Sequence, residues 1–144
     1  MVAALALLVT LAAPATAAVD VPRDVVRLQG LDKVTARVST FDVAVGRTVR
    51  FGTLEVTPEI CFEAPPTEAP ESAAFLQIVD DPPEARPVEV FSGWMFASSP
   101  ALSALEHPVL DVWVVDCLAR AELAEEQAPA EVLADDRGPP RRRP

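Results

Sequence analysis

Two neighbouring stretches decide the fold of this chain: Phe91-Ser-Gly-Trp-Met-Phe-Ala-Ser-Ser-Pro-Ala-Leu102 and Leu105-Glu-His-Pro-Val-Leu-Asp-Val-Trp-Val-Val-Asp-Cys117. Both tryptophans, the only histidine and one of the two cysteines fall within the 27 residues from Phe91 to Cys117. The run from Val109 to Cys117 is largely apolar on both alternating faces, which is typical of a strand buried on both sides or covered on its outer side. We therefore expect this segment to form the centre of the core, a binding face, or both, and we expect Trp113 to be a core residue.

The sequence around these stretches predicts further strands and no long helix. Val34 to Val45 alternates with a slip near Thr40, which indicates a strand with a bulge, and Thr48 to Thr57 alternates again after the turn Gly46-Arg47. Together they predict a hairpin. Further strands are predicted at Ile60 to Phe62, Ala73 to Val79, Val88 to Phe91 and Val109 to Cys117, with a helical turn at Pro100 to Leu105. This pattern predicts an all-β domain, a small sandwich or barrel.

The two ends of the chain differ from this middle part. Val2 to Leu11 is apolar and is followed by Pro14 and the small residues Ala15-Thr-Ala17. This order predicts that residues 1–18 are an export signal, cleaved after Ala17 or Ala18. Since the apolar run is too short to span a bilayer and no later one is longer, we expect no transmembrane segment in the mature chain. Residues 19–118 then form the β domain, and residues 119–144 an acidic, proline-rich tail that is weakly helical or disordered.

Charge is unevenly distributed behind the net value of −10. Asp20 to Leu54 carries six basic and four acidic residues, whereas Glu55 to Asp116 carries twelve acidic residues and only Arg86 as a base. An acidic surface without a basic stripe repels phosphate backbones. We therefore expect no nucleic-acid partner.

The two cysteines, Cys61 and Cys117, accompany an export signal, and this combination predicts a disulfide bond formed in an oxidising compartment. The alternative is a redox or nucleophilic thiol, which would need a Cys-x-x-Cys pair or a nearby base, and the sequence has neither spacing. Closing a loop of this length stabilises a domain by roughly 4 kcal/mol through chain entropy.

His107 is the obvious catalytic candidate, because Asp111 follows it by one helical turn and Ser92, Ser98 and Ser99 lie upstream. A Ser-His-Asp triad needs an exposed nucleophile, however, and the chain has no Gly-x-Ser-x-Gly elbow. Pro108 also favours an extended conformation at His107, at the entry to a strand. We therefore interpret His107 and Asp111 as structural polar residues, with no catalytic residue assigned and a hydrolase only the third-ranked function.

Metal ligation is also disfavoured by the residue types present. A single histidine and two paired cysteines exclude ordinary zinc ligation. The acidic loop with Asp80, Asp81 and Glu84 offers calcium ligands, but prolines stiffen it and EF-hand spacing is missing. We expect a solvated acidic loop there, with no metal and no cofactor.

Trp94, Met95 and Phe96 form the best candidate interface. Three bulky residues in succession cannot all point inward from a strand, because neighbouring side chains alternate between its faces. At least one is therefore expected to be exposed or to lie under a loop, and exposed aromatic residues beside Met are typical interface anchors. The alternative is that Gly93 kinks the chain so that all three pack inside.

The chain resembles the DUF2155 family from about Leu28 to Cys117. The matching segments are Gly30-Leu-Asp-Lys-Val-Thr-Ala-Arg-Val-Ser-Thr40, Val49-Arg-Phe-Gly-Thr-Leu-Glu-Val56, Cys61, Glu71-Ser-Ala-Ala-Phe75 and the two stretches quoted first. The resemblance implies a small exported alphaproteobacterial protein, located in the periplasm, from a family without an established active site. Its genes often neighbour a gene for an accessory subunit of respiratory complex I.

These observations together predict a function. We expect a non-catalytic, periplasmic binding or structural domain whose partner is another envelope protein or a membrane complex. The alternative is a peripheral accessory or assembly factor of an inner-membrane respiratory complex.

Overall fold

The computed structural model describes residues 20–126 of the chain. The predicted export signal, and the predicted tail beyond Glu126, lie outside these residues. The described chain contains strands β1 (Val21–Pro22), β2 (Val25–Asp32), β3 (Arg37–Ala44), β4 (Val49–Phe51), β5 (Leu54–Glu63), β6 (Ser72–Asp80), β7 (Val88–Phe96) and β8 (Leu110–Leu118), a 3-10 helix (Pro100–Ser103) and helix α1 (Arg120–Glu126).

The strands form two antiparallel sheets that share one core. Sheet A has the order β1-β5-β6-β7, with β4 also paired to β5, and sheet B has the order β3-β2-β8. The core contains buried side chains from both sheets, namely Leu54, Val56, Ala74, Leu76, Ile78 and Met95 from sheet A and Val26, Leu28, Val43, Leu110, Val112 and Val114 from sheet B. Packed sheets with a common apolar layer make a β-sandwich, which confirms the predicted all-β fold.

Cys61 on β5 and Cys117 on β8 face each other across the two sheets. Their Cα atoms are 5.8 Å apart and both side chains are buried, so the pair is at disulfide-bonding distance. Since 56 residues separate the two positions in sequence, the link ties the middle of the chain to its last strand.

Strand β8 corrects the prediction for Trp113. The buried residues of this strand are Leu110, Val112, Val114 and Cys117, so the side chain of Trp113 lies on the outer face of sheet B and is only half-buried. The predicted period of two is correct, but the face of β8 that was expected to point into the core, with Trp113, points outward. Both faces are rich in apolar residues, and the sequence of the strand does not distinguish the inner from the outer one.

The predicted hairpin between residues 34–45 and 48–57 is also wrong. β3 pairs with β2 instead, and β4 pairs with β5 through a turn at Gly52, whose φ is +61°. The β2–β3 turn is built by Asp32, whose side chain accepts hydrogen bonds from the amides of Val34 (2.9 Å) and Thr35 (3.1 Å). The bulge predicted near Thr40 is absent from the continuous β2–β3 register.

Several other sequence predictions within the described residues are confirmed. β5, β6, β7 and β8 each contain a predicted strand, and the predicted helical turn is the 3-10 helix. Among residues 20–126, no helix has the length and apolar character that crossing a bilayer would require.

Candidate binding face

The outer surface of sheet A carries a cluster of large apolar side chains, which we call the aromatic face: Ile60, Phe62, Phe75, Trp94 and Phe96. Strand alternation places them there, because Cys61, Ala74 and Met95, which adjoin them in sequence, all point into the core. The register brings the cluster together in two rows, since Phe75 of β6 lies between Ile60 and Trp94, and Ala73 lies between Phe62 and Phe96.

Trp94 of β7 contacts two other rings of the aromatic face. Its ring stacks on Phe62 with centroids 6.1 Å apart and meets Phe75 edge-on at 5.7 Å. Both geometries are favoured ones for aromatic pairs, so the indole is held in place by its neighbours. Trp94 nevertheless remains 37% exposed and Ile60 43% exposed. The face is therefore ordered by the fold while part of its apolar surface remains in contact with water.

Acidic groups dominate the surroundings of the aromatic face. Glu59 is exposed beside Ile60, and Glu63 follows Phe62 at the end of β5. A cavity of about 260 Å³ next to Phe62 and Phe96 is lined in addition by Asp20, Glu68 and Glu71. Arg23, which precedes β2, donates from Nε to Glu63 at 2.7 Å, and this hydrogen bond raises the pKa of Arg23.

Glu71 joins the start of β6 to the segment that follows β7. Its carboxylate accepts hydrogen bonds from the amides of Ser72 (3.1 Å) and Ser98 (3.0 Å), and from the hydroxyl of Ser98. Burial by itself raises the pKa of Glu71, but the hydrogen bonds from Ser98 and Ser72 outweigh it, so the pKa lies below its ordinary value. Glu71 is therefore held as a carboxylate at the edge of the aromatic face.

His107 does not meet the residues that a Ser-His-Asp triad would need. Its Nδ1 accepts from the amide of Leu110 at 3.0 Å, which places the ring proton on Nε2, 3.3 Å from Oδ2 of Asp80. Asp111 instead accepts from the amide of Val112, and Ser98 donates to Glu71. With its side chain only 6% exposed, His107 links the loop before β8 to the end of β6.

The acidic loop also has protein partners of its own. Asp80 faces His107, and Asp81 accepts a hydrogen bond from Arg50 at 2.6 Å. In the part of the chain that the structure describes, no three residues among His, Cys, Asp and Glu are grouped as metal ligands.

The structure separates the three residues of the predicted interface. Trp94 and Phe96 lie on the aromatic face, whereas Met95 points into the core and is buried. Ile60, Phe62 and Phe75 also belong to the aromatic face and are not among the residues predicted for the interface. A disulfide at Cys61 implies that its neighbours Ile60 and Phe62 point away from the core, so alternation gives their direction. Only the pairing register, which the sequence does not specify, shows that they meet Trp94.

Comparison with known proteins assigns the chain to a family. The family described as "Uncharacterized protein conserved in bacteria (DUF2155)" matches residues 26–117, and the chain belongs to it. An uncharacterized protein of Rickettsia prowazekii (strain Madrid E) is 25% identical over 91 residues, which is 63% of this chain and 59% of that relative. The chain thus aligns with somewhat more than half of the relative's length. No solved structure matches the chain.

Proposed function

We propose that this protein is an exported, non-catalytic binding domain of the periplasm, and that its aromatic face binds another protein of the envelope. The observation that carries the proposal is the position of Trp94, which is fixed by Phe62 and Phe75 yet remains 37% exposed. Aromatic side chains that are rigid and exposed contribute binding energy at a low entropic cost, which is why they are frequent anchors of interfaces.

The chemistry of the face favours a protein partner. An apolar centre with a charged rim is the usual arrangement of a protein interface, in which the centre supplies affinity and the rim supplies orientation. The rim here contains Asp20, Glu68 and Glu71, which line the cavity beside Phe62 and Phe96, and the exposed Glu59. A partner with an apolar contact surface bordered by Lys or Arg would complement it.

The non-catalytic part of the proposal is supported by His107. Both of its ring nitrogens are engaged, Nδ1 by backbone amides and Nε2 by Asp80, and its side chain is nearly inaccessible. A general base needs a nitrogen that can reach the proton it removes. His107 as positioned serves the fold instead.

Export to the periplasm is supported by the apolar run and small residues at the start of the sequence, and by a cysteine pair at disulfide distance. The mass of the protein isolated from its native host tests this part directly. We expect a mature chain that begins near Val19, and a cytoplasmic chain that retains Met1 would contradict it.

Site-specific photo-crosslinking tests the binding face. Replacing Trp94 with benzoylphenylalanine in the full chain, followed by illumination of intact cells, is expected to give one discrete adduct with an envelope protein. Val115 is the matched control position, because it is also 37% exposed but lies on β8 of the other sheet. We expect no such adduct from position 115.

A Phe75→Ser change should abolish the adduct from position 94, because it removes the ring against which the side chain at position 94 packs. The proposal is wrong if positions 94 and 115 yield the same adducts. If the adduct is a subunit of an inner-membrane respiratory complex, the protein is a peripheral accessory or assembly factor of that complex.

A further inference from the structure

The strands at the edges of the two sheets differ in how their backbone is protected. Strand β8 forms one edge of sheet B, and two of its amides donate to aspartates of the same strand. The amide of Val112 donates to Oδ1 of Asp111 at 3.0 Å, and the amide of Cys117 donates to Oδ1 of Asp116 at 2.8 Å. An amide that is engaged in this way is not available to a strand of another chain.

Three further edge strands are protected by their length, by proline or by charge. β1 has two residues, one of which is Pro22, and β4 has three. β3, at the other edge of sheet B, carries the charged residues Arg37 and Asp42. Short length, proline and charge are the usual features that keep an edge strand from pairing with other chains.

The second half of β7 has none of these features. β7 is the last strand of sheet A, and its register with β6 shifts between Ile78 and Val79. The first half of β7 is therefore interrupted, and it also carries the exposed Glu89. From Phe91 to Phe96 the strand contains neither a charged residue nor a proline, and its register is continuous. An edge of this kind can accept a strand from another chain.

The hydrogen-bond pattern identifies the backbone groups of β7 that face this edge. In an antiparallel ladder, residues whose N–H and C=O bond the neighbouring strand alternate with residues whose groups point away from it. The amide of Ala97 donates to the carbonyl of Ser72 at 2.8 Å, so Ala97 is of the first kind. Since the register is continuous through the second half of β7, the N–H and C=O of Phe96, Trp94 and Ser92 point away from β6.

The outward groups of Ser92 and Trp94 are open. The carbonyl of Phe96 accepts a hydrogen bond from the amide of Ser99 at 3.2 Å, beside the 3-10 helix. Between residues 20 and 126, no backbone or side-chain group pairs with the outward N–H and C=O of Ser92 and Trp94. Ser92 is exposed and Trp94 is 37% exposed. We call the stretch Ser92–Trp94 the β7 edge.

The β7 edge is continuous with the aromatic face, because Trp94 belongs to both. A strand added beside β7 would place every second side chain about 5 Å from a neighbour such as Trp94, on the same face of the sheet. The surroundings are acidic, since Glu55 to Asp116 carries twelve acidic residues and only Arg86 as a base. Pairing of the β7 edge with a second copy of the chain would bring two acidic surfaces together, which is unfavourable. A segment with Lys or Arg fits better.

We propose that the envelope partner binds through an extended segment that adds a strand to β7. The segment pairs with the N–H and C=O of Ser92 and Trp94, extends the aromatic face with its alternate apolar side chains, and places Lys or Arg near Glu89. Backbone hydrogen bonds then supply affinity, and the side chains beside Trp94 supply specificity. This inference rests on the proposed function and adds the form in which the partner binds.

A proline in the β7 edge tests the inference in intact cells. With a benzoylphenylalanine probe at Ile60, Ser92→Pro should lower the yield of the partner adduct by about tenfold or more, because proline has no N–H to donate to an added strand. The ladder to β6 keeps its hydrogen bonds, since the N–H of Ser92 points outward. Thr40→Pro is the matched control, because the same ladder pattern directs the N–H of Thr40 away from β2 at the edge of sheet B. It should leave the yield unchanged.

Hydrogen exchange tests the inference without a change in β7. In the unaltered free protein, the amides of Ser92 and Trp94 should exchange at least about tenfold faster than those of Gly93 and Met95, which bond β6. In the purified adduct formed from the probe at Ile60, exchange at Ser92 and Trp94 should slow by about tenfold or more. Slow exchange at both amides in the free protein, or fast exchange at both in the adduct, would overturn the inference.

The results separate the inference from the proposed function. An adduct that survives Ser92→Pro but is lost with Trp94→Ala would show binding through the aromatic face without strand addition, so the inference would fail and the proposed function would stand. An adduct of the chain with itself would identify a second copy as the occupant and overturn the inference. If the parent chain gives no adduct with an envelope protein, both the proposed function and the inference are wrong.

Discussion

The outer faces of the two sheets differ in whether the chain itself provides partners for their side chains. On sheet B, Arg27 donates to Asp42 at 2.8 Å and to Glu126 of α1 at 2.8 Å, so polar groups there are paired within the chain. On sheet A, the aromatic face carries Trp94 and Ile60, both partly exposed, and no helix of the described chain covers it. Both sheets pack on the same core, so their outer faces differ in which other groups of the chain contact them. A face left apolar and open is the one that a partner protein would fit.

The two tryptophans illustrate the same contrast at the level of single residues. Each lies on the outer face of its sheet beside buried neighbours, Met95 next to Trp94 and Val112 and Val114 next to Trp113. Trp94 is surrounded by other aromatic rings. Trp113 pairs with Gln29 of β2 and lines a cavity with Pro100, Ala101 and Ala104. Equal position relative to the core therefore does not imply an equal role.

The two sheets must stay packed face to face for their outer faces to differ in this way. Removing the cysteine link between the sheets is therefore the change with the largest expected effect. Replacing Cys61 and Cys117 together with Ala should lower the free energy of unfolding by roughly 4 kcal/mol, because the loop they close spans 56 residues. A domain of this size should then lose roughly 15 to 30 °C in melting temperature, as scanning calorimetry would measure.

Reduction of the unaltered protein provides the control for this prediction. Dithiothreitol should lower the melting temperature of the unaltered chain to nearly that of the double variant, and should leave the double variant unchanged. Free-thiol labelling of the protein isolated from its native host should detect neither cysteine. A double variant as stable as the parent would mean that the sheets are held together by the core alone.

The class of fold could be predicted from the sequence because it depends on alternation and turn residues, which are local features. The pairing of Cys61 with Cys117 could also be predicted, since the chain has no other cysteine. The hairpin could not, because the sequence pattern did not indicate β2, the central strand of sheet B that pairs with β3 and β8. With β2 missing from the prediction, the segment after β3 was the only candidate pairing partner for β3.

The candidate site was predictable only in part, for a related reason. Alternation shows that Trp94 and Phe96 share a face, but it does not say which face points inward. At Trp94 the buried Met95 resolves the choice, and at Trp113 the sequence favoured the wrong face. The clustering of Trp94 with Phe62 and Phe75 depends on the register of three strands. Register is fixed by long-range packing, which a single sequence does not display.

Substitutions at Met95 and Trp94 distinguish the core from the outer face within one strand. Met95→Ala should cost about 2 to 5 kcal/mol, because it leaves a cavity in the shared core. Trp94→Ala should cost only about 1 to 2 kcal/mol, which corresponds to its aromatic contacts on a surface that remains partly open to water. Urea denaturation of both variants would measure the two values.

Strand propensity would give the opposite order, because the two residues are adjacent in β7 and Trp is among the residues that favour strands. The two variants should also differ in partner binding. Trp94→Ala should abolish partner crosslinking from a probe at Ile60, whereas Met95→Ala should retain it under conditions where the domain is folded. Equal unfolding costs for the two variants would mean that the aromatic face belongs to the core.

The smallest expected effect concerns Glu71, at the edge of the aromatic face. Its folded pKa lies below the ordinary value of 4.5, so its carboxylate stabilises the fold above about pH 4.5, and this contribution is lost as pH falls through the folded pKa. Glu71→Gln should therefore destabilise the domain at neutral pH, by about 1 kcal/mol or less because the group is partly exposed. The difference in stability between variant and parent should disappear on titration from about pH 7 to about pH 3, since the parent then carries a neutral side chain as well.

Glu68→Gln removes the same charge from the same loop without affecting the contact to Ser98, and it serves as the control. A gap that widens in acid would show that the hydrogen bonds from Ser98 and Ser72 do not favour the ionised form of Glu71, and that the edge of the aromatic face is held in some other way.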